Sequence, residues 1–160
     1  MPKTSRVLTP ETAGGSLLDV GIYPITYCYN LFGYPDKIIC DGEIRDGIDV
    51  NEKITLTYGD TVCELYISFE YLKEMFSLKG TEGKILIPAF HVSPYALMLG
   101  KKGMRFTFGK TTYLNEFDRC AEEIRAGKKQ SDYIPFEATL NCMKIMDECR
   151  RQMGLKYPFE

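Results

Sequence analysis

The chain has 160 residues, of which 44% are hydrophobic and 26% are charged, which is typical of one globular domain. Twenty Lys and Arg side chains oppose twenty-two Asp and Glu, and the net charge of -2 argues against electrostatic binding of nucleic acid or an anionic membrane. A single His excludes a His-based metal cluster, and no apolar run reaches the roughly 20 residues that span a bilayer.

The amino terminus and the six cysteines predict a reducing, cytoplasmic environment. Residues 1–6 lack the apolar segment of a signal peptide. No two cysteines have C-x-x-C spacing, and their density does not suggest a disulfide framework at this size. Cys142 and Cys149 lie seven residues apart on a predicted helix, a spacing that indicates two core positions more often than a metal pair.

The first predicted element is a helix that carries two stripes. Its apolar stripe recurs at steps of three and four residues and contains Leu18, Ile22, Ile25, Tyr29 and Phe32. Its polar stripe contains Asp19, Tyr23, Thr26 and Asn30. Pro24 removes one backbone donor inside this pattern and predicts a kink near Val20. Gly33 and Pro35 end the helix.

The middle of the chain predicts strands, and the rest predicts two helices. Turn signals such as Gly59-Asp60 recur every eight to twelve residues between 36 and 108, which indicates antiparallel connections. One closing helix has an apolar stripe at Leu114, Phe117, Ala121 and Ile124 and ends at Gly127. The other begins at Pro135, ends at Gly154 and has a predicted apolar face of Phe136, Leu140, Met143, Met146, Cys149 and Met153. One helix, six or seven strands and two helices predict an α+β fold.

Nucleotide-binding motifs are missing from the sequence. No G-x-G-x-x-G follows a predicted strand, and residues 109–111 resemble the end of a P-loop whose first glycine is replaced by Met104. His91 follows a strand and is interpreted as a loop histidine, because no orienting carboxylate can be assigned from the sequence.

Asp19 and Tyr23 are the strongest candidates for chemistry. They are four residues apart, so an α-helix places them on one face, where a carboxylate could orient the phenol. Acid–base work at neutral pH would need a nearby cation, because an ordinary phenol has a pKa of about 10. Gly14 and Gly15, just upstream, allow a backbone to approach a ligand closely. From the spacing alone, a plain polar stripe is the simpler interpretation.

At these residues the sequence resembles a known family. Residues 13–24 resemble the GG-x-LLD-x-G-x-Y-P signature of the Gfo/Idh/MocA oxidoreductases, most of all the branch of dihydrodiol dehydrogenase and NADP-dependent xylose dehydrogenase. Residues 47–49 resemble T-G-V-D, with Asp46 in place of the threonine, and residues 80–88 resemble G-T-x-G-x-I-x-I-P. Residues 146–158 resemble the terminal helix and its Y-P tail, so the resemblance covers nearly the whole chain.

The resemblance implies that residues 1–160 form a single C-terminal domain for substrate binding and oligomerisation. Its fold would be an open, mostly antiparallel sheet of six or seven strands with helices packed on one face. The family's N-terminal Rossmann domain and its Glu-Lys-Pro segment, which carries a catalytic lysine, have no counterpart in the sequence. We therefore interpret the chain as a truncated or proteolytic fragment that is inactive by itself.

The resemblance also implies a reaction and its partners. The reaction would be hydride transfer between NAD or NADP, bound mainly by the missing N-terminal domain, and a sugar or small cyclic alcohol or diol. Tyr23 would be the general acid/base, Asp19 would bind and orient the substrate, and Gly14 and Gly15 would lie beside substrate and cofactor, without a metal. A homo-oligomer, dimer or tetramer, would form through the open sheet face, which should carry residues such as Val62, Tyr66 and Arg105. The alternative is a non-enzymatic binding or oligomerisation domain that has lost this chemistry.

Overall fold

The computed structural model describes residues 5–70, 74–101, 103–108 and 114–160, without the side chain of Leu114. The P-loop-like residues 109–111 lie outside these ranges. The chain forms two compact units, of which the first contains Met1–Tyr71 and Asp132–Glu160 and the second contains Leu72–Ser131.

Seven strands and three α-helices make up the described fold. In chain order they are α1 (Ile22–Phe32), β1 (Lys37–Arg45), β2 (Ile48–Tyr58), β3 (Thr61–Ser68), β4 (Met75–Gly80), β5 (Gly83–Pro88), β6 (Tyr95–Gly100), β7 (Gly103–Phe108), α2 (Leu114–Arg125) and α3 (Phe136–Met153). The predicted α+β fold with antiparallel strands is confirmed. No helix in the described ranges combines the length and the apolar character needed to cross a membrane.

The predicted irregularity of the first helix is confirmed. A π-helical turn, Leu17–Gly21, leads directly into α1, and Pro24 lies in the first turn of α1. Since proline cannot donate to the carbonyl four residues earlier, at Val20, the regular α ladder is interrupted there. At the other end, Gly33 has a φ of 80° and donates its N–H to the Tyr29 carbonyl oxygen at 2.8 Å, which ends the helix.

The first unit is built on a three-stranded sheet in the order β1-β2-β3. Helix α3 contacts β1, while α1 contacts both α3 and β3, so the core lies between the two helices and one face of this sheet. The fully enclosed side chains include Leu17, Ile25, Ile54, Leu56 and Ile145. The opposite face of the sheet is open, with Val62 58% and Tyr66 71% exposed.

The predicted apolar face of α3 is wrong for its first half. Phe136, Leu140 and Met143 are exposed by 63%, 60% and 39%. The buried stripe is Ala138, Cys142, Ile145, Met146 and Cys149. Helix α3 therefore packs through small and medium side chains, which allow the helix backbone to lie close to β1 and α1. Cys142 and Cys149 are core residues, as predicted, with 2% and 0% exposure.

The second unit contains a four-stranded antiparallel meander in the order β4-β5-β6-β7, together with α2. The seven strands are thus divided into two hydrogen-bonded sheets, whereas the sequence analysis expected one. Every ladder joins strands that are neighbours in sequence, and two-residue turns close all of these hairpins except β5–β6, whose connection has six residues. Turn residues specify such hairpins, but they do not specify whether one meander pairs with the next.

One face of the β6–β7 hairpin is apolar and exposed. The register pairs Tyr95 with Phe108 and Leu97 with Phe106, so these four side chains share a face. Tyr95 stacks on Phe106 with ring centroids 5.4 Å apart, and Phe106 and Phe108 are 50% and 79% exposed. Arg105 is also exposed but points to the other face of β7, since side chains alternate along a strand.

Candidate functional site

The two glycines that precede the first helix form a turn packed against the protein's own backbone. Gly14 donates its N–H to the Thr9 carbonyl oxygen at 3.0 Å, and Gly15 donates to the Val7 carbonyl oxygen at 2.9 Å. A Cβ on Gly14 would lie 2.8 Å from the same Val7 oxygen. The Tyr157 hydroxyl donates to the Gly14 carbonyl oxygen at 3.1 Å, which ties the C-terminal tail to this turn.

Gly15 permits the approach of a buried carboxyl group. A Cβ at this position would lie 2.0 Å from Asp49 Oδ1, and the φ of 137° is itself unfavourable for other residues. The Leu17 N–H, at the start of the π turn, donates to Asp49 Oδ2 at 2.6 Å. One of the backbone donors at the helix start is therefore already occupied by a side chain of β2.

Asp19 lies in the π turn, and Tyr23 lies one turn later in α1. Asp19 Oδ1 accepts a hydrogen bond from Arg6 Nη2 at 3.3 Å, and the Asp19 side chain is 30% exposed. Tyr23 is 51% exposed. Because a π turn closes on the fifth residue rather than the fourth, the two side chains are offset from the single α-helical face that their spacing predicts.

This arrangement presents one carboxylate and one phenol to solvent on a helix whose start is fixed by buried contacts. Tyr23 is half exposed, so part of its side chain lies at the surface of the helix. Asp19 can accept a hydrogen bond from a second hydroxyl, and Arg6 helps to hold it in place. A carboxylate and a phenol are groups that can accept hydrogen bonds and take part in proton transfer.

Three residues around this helix were not found by sequence reasoning. Arg6 pairs with Asp19 across thirteen residues of irregular chain, and no periodicity indicates such a contact. Ser16 and Glu52 are 0% and 3% exposed and hydrogen-bond each other, with Ser16 Oγ donating to Glu52 Oε1 at 2.7 Å. Burial and the neighbouring Asp49 carboxyl raise the pKa of Glu52 to about 9.

The other groups considered from the sequence lie elsewhere. His91 follows β5, as predicted for a loop histidine, and its Nδ1 lies 2.5 Å from Glu74 Oε2 in a partly exposed pair. All six cysteines are free thiols. Across the described ranges, no three His, Cys, Asp or Glu side chains are grouped so that they could hold a metal ion.

Comparisons with known proteins show to which family this chain is similar. Residues 1–86 match the family model described as the GFO/IDH/MocA C-terminal domain. The scyllo-inositol 2-dehydrogenase (NADP(+)) IolU of Bacillus subtilis is 29% identical over 93% of this chain and 47% of its own length. The trans-1,2-dihydrobenzene-1,2-diol dehydrogenase of Danio rerio is 30% identical over 95% of this chain and 50% of its own length.

A solved structure shows the same fold. The 3-ketoreductase KijD10 of Actinomadura kijaniata, in complex with NADP and TDP-benzene, aligns with a TM-score of 0.82 at 15% identity, over 96% of this chain and 50% of that chain. The chain thus spans about half the length of the relatives it matches. With its family model matched over residues 1–86, and the glycine turn and helix of that segment in place, this chain belongs to the GFO/IDH/MocA family and matches its C-terminal domain.

Proposed function

We propose that this chain is the C-terminal half of an oxidoreductase that transfers a hydride between NAD or NADP and a sugar or a small cyclic alcohol or diol. The observation that carries the proposal is the half-exposed Tyr23 phenol, one turn after Asp19, on the helix that follows the Gly14–Gly15 turn of a GFO/IDH/MocA domain. By itself the chain would be inactive.

In this proposal each residue of the site has a stated task. The coenzyme, when bound, supplies the centre that accepts or donates the hydride. In oxidation the phenolate form of Tyr23 takes the proton from the reacting hydroxyl and becomes the phenol, and in reduction the phenol returns that proton. Asp19, held by Arg6, accepts a hydrogen bond from the substrate and orients it. Gly14 and Gly15 are buried against Thr9, Val7 and Asp49, so in this proposal they shape the turn that opens the helix and do not themselves contact substrate or coenzyme.

The coenzyme would be held mainly by an N-terminal domain outside this chain. In support of this, the backbone N–H of Leu17 at the helix start already donates to the buried Asp49 carboxyl group. A dinucleotide phosphate needs such amides free and a neutral or positive surrounding. This helix start therefore does not fit a phosphate.

One expected result follows for the chain of 160 residues. Calorimetric titration with NAD(H) and NADP(H) should show no micromolar binding, because the sequence contains no G-x-G-x-x-G fingerprint after a predicted strand and the helix start next to Asp19 faces a buried carboxyl group. The full-length protein serves as the positive control under the same conditions. Clear micromolar binding by the 160-residue chain would contradict the proposal that the N-terminal domain holds the coenzyme.

The function itself is tested on the full-length protein. Its upstream coding sequence should contain a strand, a G-x-G-x-x-G turn and a helix, followed by a Glu-Lys-Pro segment. Coenzyme reduction should then be measured with NAD and NADP against sugars, inositols and cyclic diols. Activity with at least one of these classes is expected. Absence of the upstream motifs, together with inactivity on the whole panel, would favour a non-enzymatic binding or oligomerisation domain.

We further propose that the domain forms a homo-oligomer, a dimer or a tetramer, through an open sheet face. In support, the exposed side of the β6–β7 hairpin carries Tyr95, Phe106 and Phe108, and aromatic side chains are enriched in the cores of interfaces. Scattered exposed apolar residues are ordinary, but a stacked aromatic group favours a partner surface.

Light scattering should therefore give a mass of at least twice 18.3 kDa at high micromolar concentration. Phe106→Lys should lower the mass towards that of the monomer, because it places a charge inside the apolar contact. Thr107→Lys is the matched control, since it adds the same charge on the opposite face of β7. A monomeric wild-type chain, or equal effects of both variants, would contradict this interface.

A further inference from the structure

Two acidic residues of β2 are buried side by side next to the π turn that leads into α1. Asp49 is 0% exposed and Glu52 is 3% exposed. Residues three apart on a regular strand face opposite sides of the sheet. Here the pairing register with β1 shifts from Asn51–Glu43 to Asp49–Ile44, so Val50 is bulged, and both carboxyl groups point into the core.

The two carboxyl groups hold the backbone at the helix start. Asp49 Oδ2 accepts the Leu17 N–H at 2.6 Å. Glu52 Oε1 accepts the Ser16 hydroxyl at 2.7 Å, while Ser16 Oγ lies 3.3 Å from Asp49 Oδ2. Ser16 and Leu17 are thus each fixed by a side chain from β2, immediately before the turn that contains Asp19.

One shared proton is sufficient to satisfy the remaining oxygens of the pair. Asp49 Oδ1 and Glu52 Oε2 are both buried and have no hydrogen-bond partner among the described residues when each is treated as an acceptor. Two neighbouring carboxylates without solvent cannot both remain charged. A proton on Glu52, donated to Asp49, satisfies both oxygens, and the raised pKa of Glu52 agrees with this assignment.

The groups that face the pair from other elements supply no positive charge. They are the Cys40 thiol of β1, the Cys149 thiol of α3 and the Tyr157 phenol of the C-terminal tail. The Arg150 guanidinium carbon lies 4.5 Å from the centroid of the Tyr157 ring, and its ion pairs are with Asp147 and Glu160. The proton itself therefore neutralises one of the two carboxyl groups.

We propose that Asp49 and Glu52 form one buried acid pair that shares a single proton. In this proposal the pair is a positioning element: it fixes residues 15–17, and through them the helical turn that presents Asp19 and Tyr23. The kinetic part of this inference rests on the function proposed above. The structural part concerns this chain alone and is tested without activity.

The proton is tested by the pH dependence of unfolding. The pKa of Glu52 is about 9 in the folded chain and has its ordinary value of 4.5 in the unfolded chain. Between these two pH values the folded chain therefore keeps a proton on Glu52, whereas the unfolded chain has released it. The unfolding equilibrium constant of the wild type should therefore rise by up to about tenfold per pH unit in this window. Glu52→Gln, which keeps a donor and an acceptor, should remove this contribution.

Glu64→Gln is the matched control for loss of a carboxylate. Glu64 lies on the neighbouring strand β3, and its side chain is 56% exposed, so its removal should leave the slope nearly unchanged. Superimposable pH profiles of the wild type and Glu52→Gln would overturn the shared proton.

The positioning role is tested by NMR and by kinetics. In the wild-type chain, the backbone amides of Leu17–Gly21 should shift with the titration of the Glu52 carboxyl group near pH 9, and in Glu52→Gln they should not. If the chemical shifts of these amides do not change with pH in this range, the positioning role is wrong. In the full-length protein, Asp49→Ala should lower kcat by about 10²-fold with unchanged coenzyme affinity. Asp49→Asn keeps a carbonyl oxygen for the Leu17 N–H and should restore most of the rate.

The two proposals fail in different ways. A full-length wild type without oxidoreductase activity would overturn the proposed function while the unfolding and NMR results stand. An active enzyme in which Asp49→Ala retains the wild-type kcat would overturn the positioning role alone.

Discussion

Replacing Tyr23 by Phe in the full-length protein should lower kcat by about 10²–10⁴-fold, the usual contribution of general acid–base catalysis. The substitution removes one oxygen and keeps the ring, so packing should survive. In the 160-residue chain, the free energy of unfolding should fall by no more than about 1 kcal/mol, the worth of one hydrogen bond. Steady-state kinetics, coenzyme binding and thermal unfolding, measured together, separate a chemical effect from a structural one.

Tyr34→Phe is the matched control for this substitution. Tyr34 follows the far end of α1 and is 48% exposed, close to the 51% of Tyr23, so its kcat should stay within a few-fold of the wild type. Asp19→Asn provides an intermediate case, because loss of an orienting carboxylate should lower the rate without abolishing it. A Tyr23→Phe enzyme with nearly wild-type kcat would assign the proton transfer to a group outside this chain.

Gly15→Ala should cause the largest loss of stability among single substitutions in the glycine turn. The new Cβ would lie 2.0 Å from Asp49 Oδ1, and the φ of 137° is unfavourable for alanine. Backbone strain of about 1–2 kcal/mol and overpacking of about 1–3 kcal/mol together predict a loss of about 2–5 kcal/mol. Denaturant unfolding of the 160-residue chain, followed by circular dichroism, measures this loss.

Gly154→Ala separates the backbone contribution from the steric one. Gly154 lies in the same unit and has a φ of 74°, but a Cβ there would meet no atom within 4 Å. Only the backbone cost of about 1–2 kcal/mol is therefore expected. If the two variants lose the same free energy of unfolding, the close contact between Asp49 and position 15 contributes nothing to the effect.

The sequence predicted the helix ends, the helix interruption and the hairpins well, because each of these features depends on residues that are close together in the chain. Pro24 indicated the interruption at Val20, since a missing donor acts within one helical turn. The glycines at 33 and 154 end their helices at positive φ, as their positions indicated. The antiparallel hairpins follow from turn residues for the same reason.

Features that depend on contacts distant in sequence were not predicted. The face of α3 was assigned to its largest apolar residues, but close packing selected the smaller Ala138 and Cys142. The acid pair was missed because strand alternation places Asp49 and Glu52 on opposite faces, and the bulge at Val50 that unites them has no signal in the sequence. Arg6 was missed because irregular segments have no period.

The hydrogen bond from the Tyr157 hydroxyl to the Gly14 carbonyl has a practical consequence for handling the protein. The side chain that braces the turn before the helix lies three residues before Glu160, and Arg150 in turn holds the tail through an ion pair with Glu160. A purification tag, a fusion partner or a surface linkage attached at Glu160 would therefore pull on the same hydrogen bond. Attachment through Cys120, an exposed thiol on α2, would leave the residues of this tail unmodified.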